Sequence, residues 1–311
     1  MGSTQRSKII NLSMDIEDVY GDANILNDLL RDFIRFLSFF EIPCDLYITG
    51  IRLESMFWLY DFLSDTPNAA KYIHIGYHSN THTFKTIPVI SLQGIKHISL
   101  IEERKYDFAS DVFSNQEGGI LKFQKCFPQS KCFRCPAFCW TAEYFSYMQS
   151  LNMHFSTMNI LHNAPFSYLD MTILPVCEKP LEAYADFESL KADIRQFEAV
   201  SLYLHPSRLI YDNFWDKSKN RNIYADHTIR IFQLKQMILN LKNTFQLVSI
   251  EEINNYYKKS ETKLIGAEKL LCESLIRSWR WGRLPANFYS EDLLASCKYS
   301  ATTMFAAERI I

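Results

Sequence analysis

The sequence has no apolar run approaching the ~18 uninterrupted residues that a membrane helix needs, so a spanning segment of that kind is excluded. Glycine and proline are sparse, nine and ten in 311 residues, and low-complexity linkers are absent. An excess of charge of one sign is missing as well. The formal net charge is -2, so no global basic field draws nucleic acid or anionic lipid to the chain. The opening stretch "MGSTQRSKIINLSMD" lacks the apolar core of a secretion signal. Arg6 also stands where a myristoylation signal after Gly2 would need serine or threonine. The expectation is a soluble, cytoplasmic protein with no nucleic-acid partner and no membrane span; the oligomeric state stays open.

What is present suits a large buried core: 48% of the residues are apolar and 14% aromatic. The eight cysteines include a C-x-x-C at Cys132 and Cys135 within "CFPQSKCFRCPAFC". Such a pair can bind zinc or carry redox chemistry, but no second pair completes a structural zinc site. In a reducing compartment the cysteines read as packed thiols.

Along the chain, short apolar runs alternate with segments of helical spacing. "KIINLSMDIED" reads as a buried strand with a functional edge. "ANILNDLLRDFIRFLSFFE", with Ile25, Leu29, Phe33, Phe36 and Phe40, reads as a helix. "CDLYITG", "KYIHIGYHS", "CFRCPAFCW", "MHFSTMN", "MTILPV", "AVSLYLHP" and "FQLVSIEEI" supply further strands. "ESMFWLYDFLSD", "SLIEERKYDFASDVFSNQEG", "AEYFSYMQSLN" and "TIRIFQLKQMILNLKN" carry helical spacing between them. The alternation predicts an α/β fold, a (β/α) barrel or an open parallel sheet. Beyond about residue 262 the pattern reads as helical, giving a domain over 1–260 and a helical extension over 261–311.

In parallel α/β structures reactive groups gather where strands end. Four strand ends carry polar sets: Asp15 and Glu17, His78 and His82, Arg134, and His205. Strand side chains alternate faces, so Asp15 and Glu17 point together while Ile16 turns to the core. His78 and His82, in "GYHSNTH", offer two neutral nitrogens to a divalent ion, and Glu17 can complete a set that leaves positions open for water and substrate. A carboxylate near such an ion can take a proton from its water, an arginine can keep that carboxylate ionised, and a histidine can protonate a leaving amine. Solvated acids, a surface ion pair and a satisfied core histidine are the plain alternatives for each residue alone.

Taken in order, "SMDIED", "DLYITG", "GYHSNTH", "FRCPAF", "ILPV" and "LYLHP" resemble the motifs of the polysaccharide deacetylase superfamily, carbohydrate esterase family 4, over roughly residues 8 to 252. The resemblance implies a distorted (β/α) barrel of about seven parallel strands. It implies metal-dependent hydrolysis of an N-acyl or O-acyl group; with no export signal in the sequence, the expected reaction is removal of an N-acyl group, N-acetyl first, from a soluble sugar or related small-molecule intermediate. It makes Asp15 the general base and His205 the general acid, with Arg134 orienting Asp15. Glu17, His78 and His82 become ligands of a divalent transition metal: zinc first, with iron, cobalt and nickel as alternatives. The backbone amide near Ala137 becomes a candidate oxyanion donor. Glu17 stands where aspartate is usual, and "MHFSTMN" lacks the aspartate that tunes the acid histidine, for which Asp170 is the candidate substitute. Trp140, Phe214 and Trp215 are candidate stacking platforms for a sugar ring. Hydrolysis of another C–N bond, such as a cyclic amide, and an inactive barrel serving as a binding module are the competing readings.

Overall fold

The computed structural model describes residues 8–17, 23–80, 106–107, 112–113, 119–135, 142–158, 162–211, 222–257 and 263–264. His82, Ala137, Cys139, Trp140, Phe214, Trp215 and all of the 261–311 extension except Lys263 and Leu264 lie outside them.

The strands are β1 (Ile9–Ile16), β2 (Cys44–Ile48), β3 (Ile73–Tyr77), β4 (Tyr106–Asp107), β5 (Val112–Phe113), β6 (Cys132–Arg134), β7 (Phe155–Met158), β8 (Phe166–Tyr168), β9 (Met171–Pro175), β10 (Ala199–Leu204), β11 (Gln246–Val248) and β12 (Lys263–Leu264). The strands β10, β1, β2, β3, β6, β7 and β9 lie side by side and all parallel. A single parallel bridge, Val176 to Ser201, brings the far end of this sheet back to β10. The seam is a bridge rather than a ladder, so the barrel is distorted as expected. At the β9 edge, β8 adds antiparallel and β12 pairs with β8, so Lys263 and Leu264 depart from the helical reading of their segment.

Helices cover the outside because the strands are two-faced. In β1, Ile10, Leu12, Met14 and Ile16 join one outer apolar cluster with Leu30, Phe33, Ile34 and Leu37 of the Ala23–Phe39 helix. The helix buries one stripe at three- and four-residue spacing, as an amphipathic helix should. Alternate residues face inward, where Ile9, Tyr47, Cys132, Phe155, Leu174 and Ala199 form a separate cluster inside the barrel. The segment 99–118, read as helical, holds an antiparallel ribbon of Tyr106–Asp107 with Val112–Phe113. Aromatic and β-branched residues favour that pairing over a helix.

Two features shape the mouth and the floor. Beyond β3 the chain turns at Ser79, with φ of 61°, and the carbonyls of Ser79 and Asn80 accept the amides of Gly50 and Ile51. A Cβ at Gly50 would stand 2.3 Å from Asn80 Oδ1 and 3.1 Å from the Cα atoms of Asn80 and Gly119, so a side chain there would force its neighbours to shift. At the floor, one edge of β1 is shared: Ile9 to Asn11 pair with β11, and Ser13 to Ile16 pair with β2. Asp45 closes the gap, its Oδ2 accepting Asn11 Nδ2 at 2.6 Å and the Ile250 amide at 3.0 Å.

Candidate metal and catalytic centre

The inward face of β1 presents Asn11, Ser13 and Asp15 in succession, and Glu17 follows at the strand end. Period-two alternation therefore places both acids on the same face, with Ile16 in the outer core. His78 follows β3, Arg134 ends β6 and His205 follows β10, so all three meet Asp15 and Glu17 at one mouth. Each of the five side chains is buried. His82 lies outside the described residues.

Arg134 is fully enclosed and almost entirely specified. Its Nη1 donates to Asp15 Oδ1 at 2.5 Å and its Nε to Thr157 Oγ1 at 2.7 Å. Its Nη2 donates to Ser13 Oγ at 2.8 Å and Ser201 Oγ at 3.1 Å. The guanidinium also lies 4.2 Å over the ring of Tyr47. Burial would lower the Arg134 pKa, but Asp15, Tyr47 and Asp45 together outweigh it and the net direction is upward. The arginine stays charged, and a charge-assisted bond of this kind fixes Asp15 in place.

The imidazole of His78 is oriented by its neighbours. Its Nδ1 stands 2.9 Å from the Arg134 carbonyl oxygen, which can only accept, so Nδ1 carries the hydrogen. In the neutral ring Nε2 then directs a lone pair towards Glu17 Oε2 at 3.2 Å and Asp15 Oδ2 at 3.9 Å. A lone pair facing two carboxylates is repulsive until a proton or a cation comes between them. A ring nitrogen tied to a backbone carbonyl, with the other nitrogen aimed at oxygens, is the arrangement that metal-bound histidines adopt. The donor set thus fits a divalent transition metal.

His205 approaches from the opposite side. Its Nε2 lies 3.6 Å from Glu17 Oε1 and 4.0 Å from Asp15 Oδ2. Single donor atoms of Asp15, Glu17 and His205 all lie within 4.8 Å of one another. Its Nδ1 lies 2.7 Å from Oε1 of Glu182, a residue that sequence reasoning passed over. Burial works against the charged imidazole, but Glu182, Glu17 and Asp15 together outweigh it and raise the His205 pKa. Arg208 reaches the same Glu182 oxygen at 3.3 Å. Asp170 is not the tuning residue. It sits at φ 58° beside Leu169 at φ 47°, in the tight β8–β9 turn that precedes β9, at the end of the barrel opposite the mouth. Glu182 stands in "KPLEAY", on a short 3-10 turn between two barrel strands, and no local pattern marks its role.

Four of the five described cysteines are packed thiols. Cys44, Cys132, Cys135 and Cys177 are buried, Cys126 is half-buried, and burial pushes the Cys132 thiol well up.

No family model and no curated protein matches the chain. Solved structures do. A protein assigned as a polysaccharide deacetylase from Mycobacterium smegmatis is 11% identical with a TM-score of 0.51, covering 85% of this chain and 95% of its own. The 4-alpha-glucanotransferase of Thermococcus litoralis is 9% identical with a TM-score of 0.50, covering 81% of this chain and 41% of its own. A CE4 family pseudoenzyme from Bacillus anthracis is 13% identical with a TM-score of 0.46, covering 83% of this chain and 67% of its own. Likeness at such identities is one of fold, and a fold hosts several activities. The chain shares the α/β fold of the Mycobacterium smegmatis and Thermococcus litoralis structures, a curled, mostly parallel sheet wrapped by helices.

Proposed function

We propose that the chain is a metal-dependent hydrolase that removes an N-acyl group, N-acetyl in the first instance, from a sugar or related small molecule. The observation that carries this reading is the His78 Nε2 aimed at Glu17 and Asp15 while its Nδ1 is tied to the Arg134 carbonyl. Glu17 and His78 would hold the metal, with His82 as the further ligand. A divalent metal, when bound, supplies Lewis acidity, bringing the pKa of its water towards ~7 and polarising the acyl oxygen.

The chain's own residues divide the remaining work. Asp15 takes the proton of the attacking water; Arg134, donating to Asp15 Oδ1, holds that carboxylate turned so that Oδ2 faces the histidines. His205 gives a proton to the departing nitrogen. Glu182 fixes the ring through Nδ1, so the proton to be delivered sits on Nε2 at the mouth. An amide nitrogen leaves poorly until protonated, so this acid matters more for amides than for esters.

A second reading has its own observation. His205 Nε2 is close enough to Glu17 and Asp15 to join a ligand set, and its carboxylate-bound Nδ1 matches the support that metal-bound histidines receive. A screen of N-acetylated sugars and small metabolites for released acetate, run with zinc, iron, cobalt or nickel, tests the activity. Acetate release that requires the metal is expected. Inertness with every metal, in a protein that binds one, contradicts the hydrolase.

A further inference from the structure

The hydrogen bonds that hold Arg134 continue past it to the barrel floor. Asn11 Nδ2 meets two acceptors, Asp45 Oδ2 at 2.6 Å and the Val248 carbonyl at 3.2 Å. Those acceptors settle which end of the amide is which, and Oδ1 must face the other way, towards Ser201. Ser201 Oγ donates to it at 2.8 Å. With its hydrogen committed there, the Ser201 oxygen offers only lone pairs to Arg134 Nη2. Ser13 is committed in the same way, donating to the Leu202 carbonyl at 2.8 Å and accepting from Arg134 Nη2. Every bond in the series has one sense, and Arg134 in turn donates to Asp15.

We propose that Asn11, held by Asp45, is a remote positioning residue: its amide sets the direction of the Ser201 hydroxyl and thereby seats the Arg134 guanidinium that orients Asp15. This rests on the hydrolase reading for its catalytic consequence, although the relay itself is a matter of hydrogen-bond direction. Asn11 is fully buried and touches none of the reacting groups. Replacing its amide by an apolar group of similar size removes the acceptor that claims the Ser201 hydrogen. Ser201 then loses the acceptor that fixes its hydrogen and can rotate, Ser13 Oγ at 3.4 Å being the other oxygen in reach, so the seat it gives Nη2 is no longer held in one direction.

The test uses Asn11→Leu, with Ser201→Ala as the milder variant should Asn11→Leu fail to fold. Arginine side-chain proton–nitrogen NMR reads the seating of Arg134, with its signals identified from Arg134→Lys. Steady-state kinetics and metal stoichiometry read the consequence. The expected result is shifted or broadened Arg134 signals and a fall in kcat of about tenfold or more, with KM and metal content unchanged. Wild-type Arg134 signals in the folded variant overturn the proposal. Shifted signals with undiminished kcat overturn it equally. If the wild-type chain hydrolyses nothing, the hydrolase reading fails on that measurement, and the NMR result alone decides the relay.

Discussion

Glu182 Oε1 lies 2.7 Å from Nδ1 of His205, on the side of the ring away from Glu17 and Asp15. The pair resembles the supported histidines of hydrolytic centres, in which a carboxylate fixes the tautomer and favours the charged ring. Glu182→Gln removes the charge and keeps an acceptor oxygen. We expect kcat on an N-acetyl substrate to fall by about 10- to 100-fold, and turnover of an ester with a good leaving group to fall far less. Equal losses on amide and ester would remove the acid role from this pair.

The two assignments of His205 separate on metal content. As the acid, His205→Ala keeps its metal and loses amide hydrolysis; as a ligand, it loses the metal first. Elemental analysis of the purified variant beside an acetate assay decides between them, and we expect retained metal.

Asp15 is expected to behave differently from the ligands. Asp15→Asn should bind metal with near wild-type stoichiometry while kcat drops by at least ~100-fold, within the range that general acid–base catalysis contributes. Retained turnover would exclude it as the base.

Arg134 is enclosed with its carboxylate partner, so truncating it strands a buried charge. Arg134→Met is expected to lower unfolding stability by about 3–5 kcal/mol, measured by denaturant titration. A loss below about 1 kcal/mol would mean that the pair behaves as an exposed one.

Asp45 gives a pH signature. Burial pushes its carboxyl up to about 6 in the folded chain, against about 3.9 when unfolded. The folded state therefore holds the proton more tightly. The stabilisation is fully present below about pH 4 and is lost as pH rises through about 6, an effect on the order of 3 kcal/mol. Asp45→Asn cannot titrate there. The difference between wild-type and variant stability should therefore change across that window and be flat above it. Parallel curves from pH 4 to 7 would contradict this.

Much of the scaffold was legible because two periodicities dominate it. The alternation in "IINLSMDI" separates Ile10, Leu12, Met14 and Ile16 from Asn11, Ser13 and Asp15, and the helix after it repeats every three to four residues. The rim followed from strand ends: Asp15, Glu17, His78, Arg134 and His205 converge because parallel strands all finish on one side. Short helices such as Pro67–Tyr72 and Gly119–Cys126 were passed over, since one or two turns give no period to detect. The ribbon of Tyr106–Asp107 with Val112–Phe113 was missed because aromatics and acids in "KYDFASDVF" also satisfy helical spacing. Glu182 and Asn11 were invisible for a different reason. Their roles lie in contacts 23 and 190 residues away, with His205 and Ser201, and no local pattern encodes them.

The most direct measurement is the metal content of the purified chain and of Glu17→Ala and His78→Ala, by elemental analysis and metal titration. One divalent transition-metal ion per wild-type chain is expected, with affinity reduced by at least about tenfold in each variant. A wild-type chain that binds no such ion, or variants that bind it as tightly as wild type, would contradict the proposed centre.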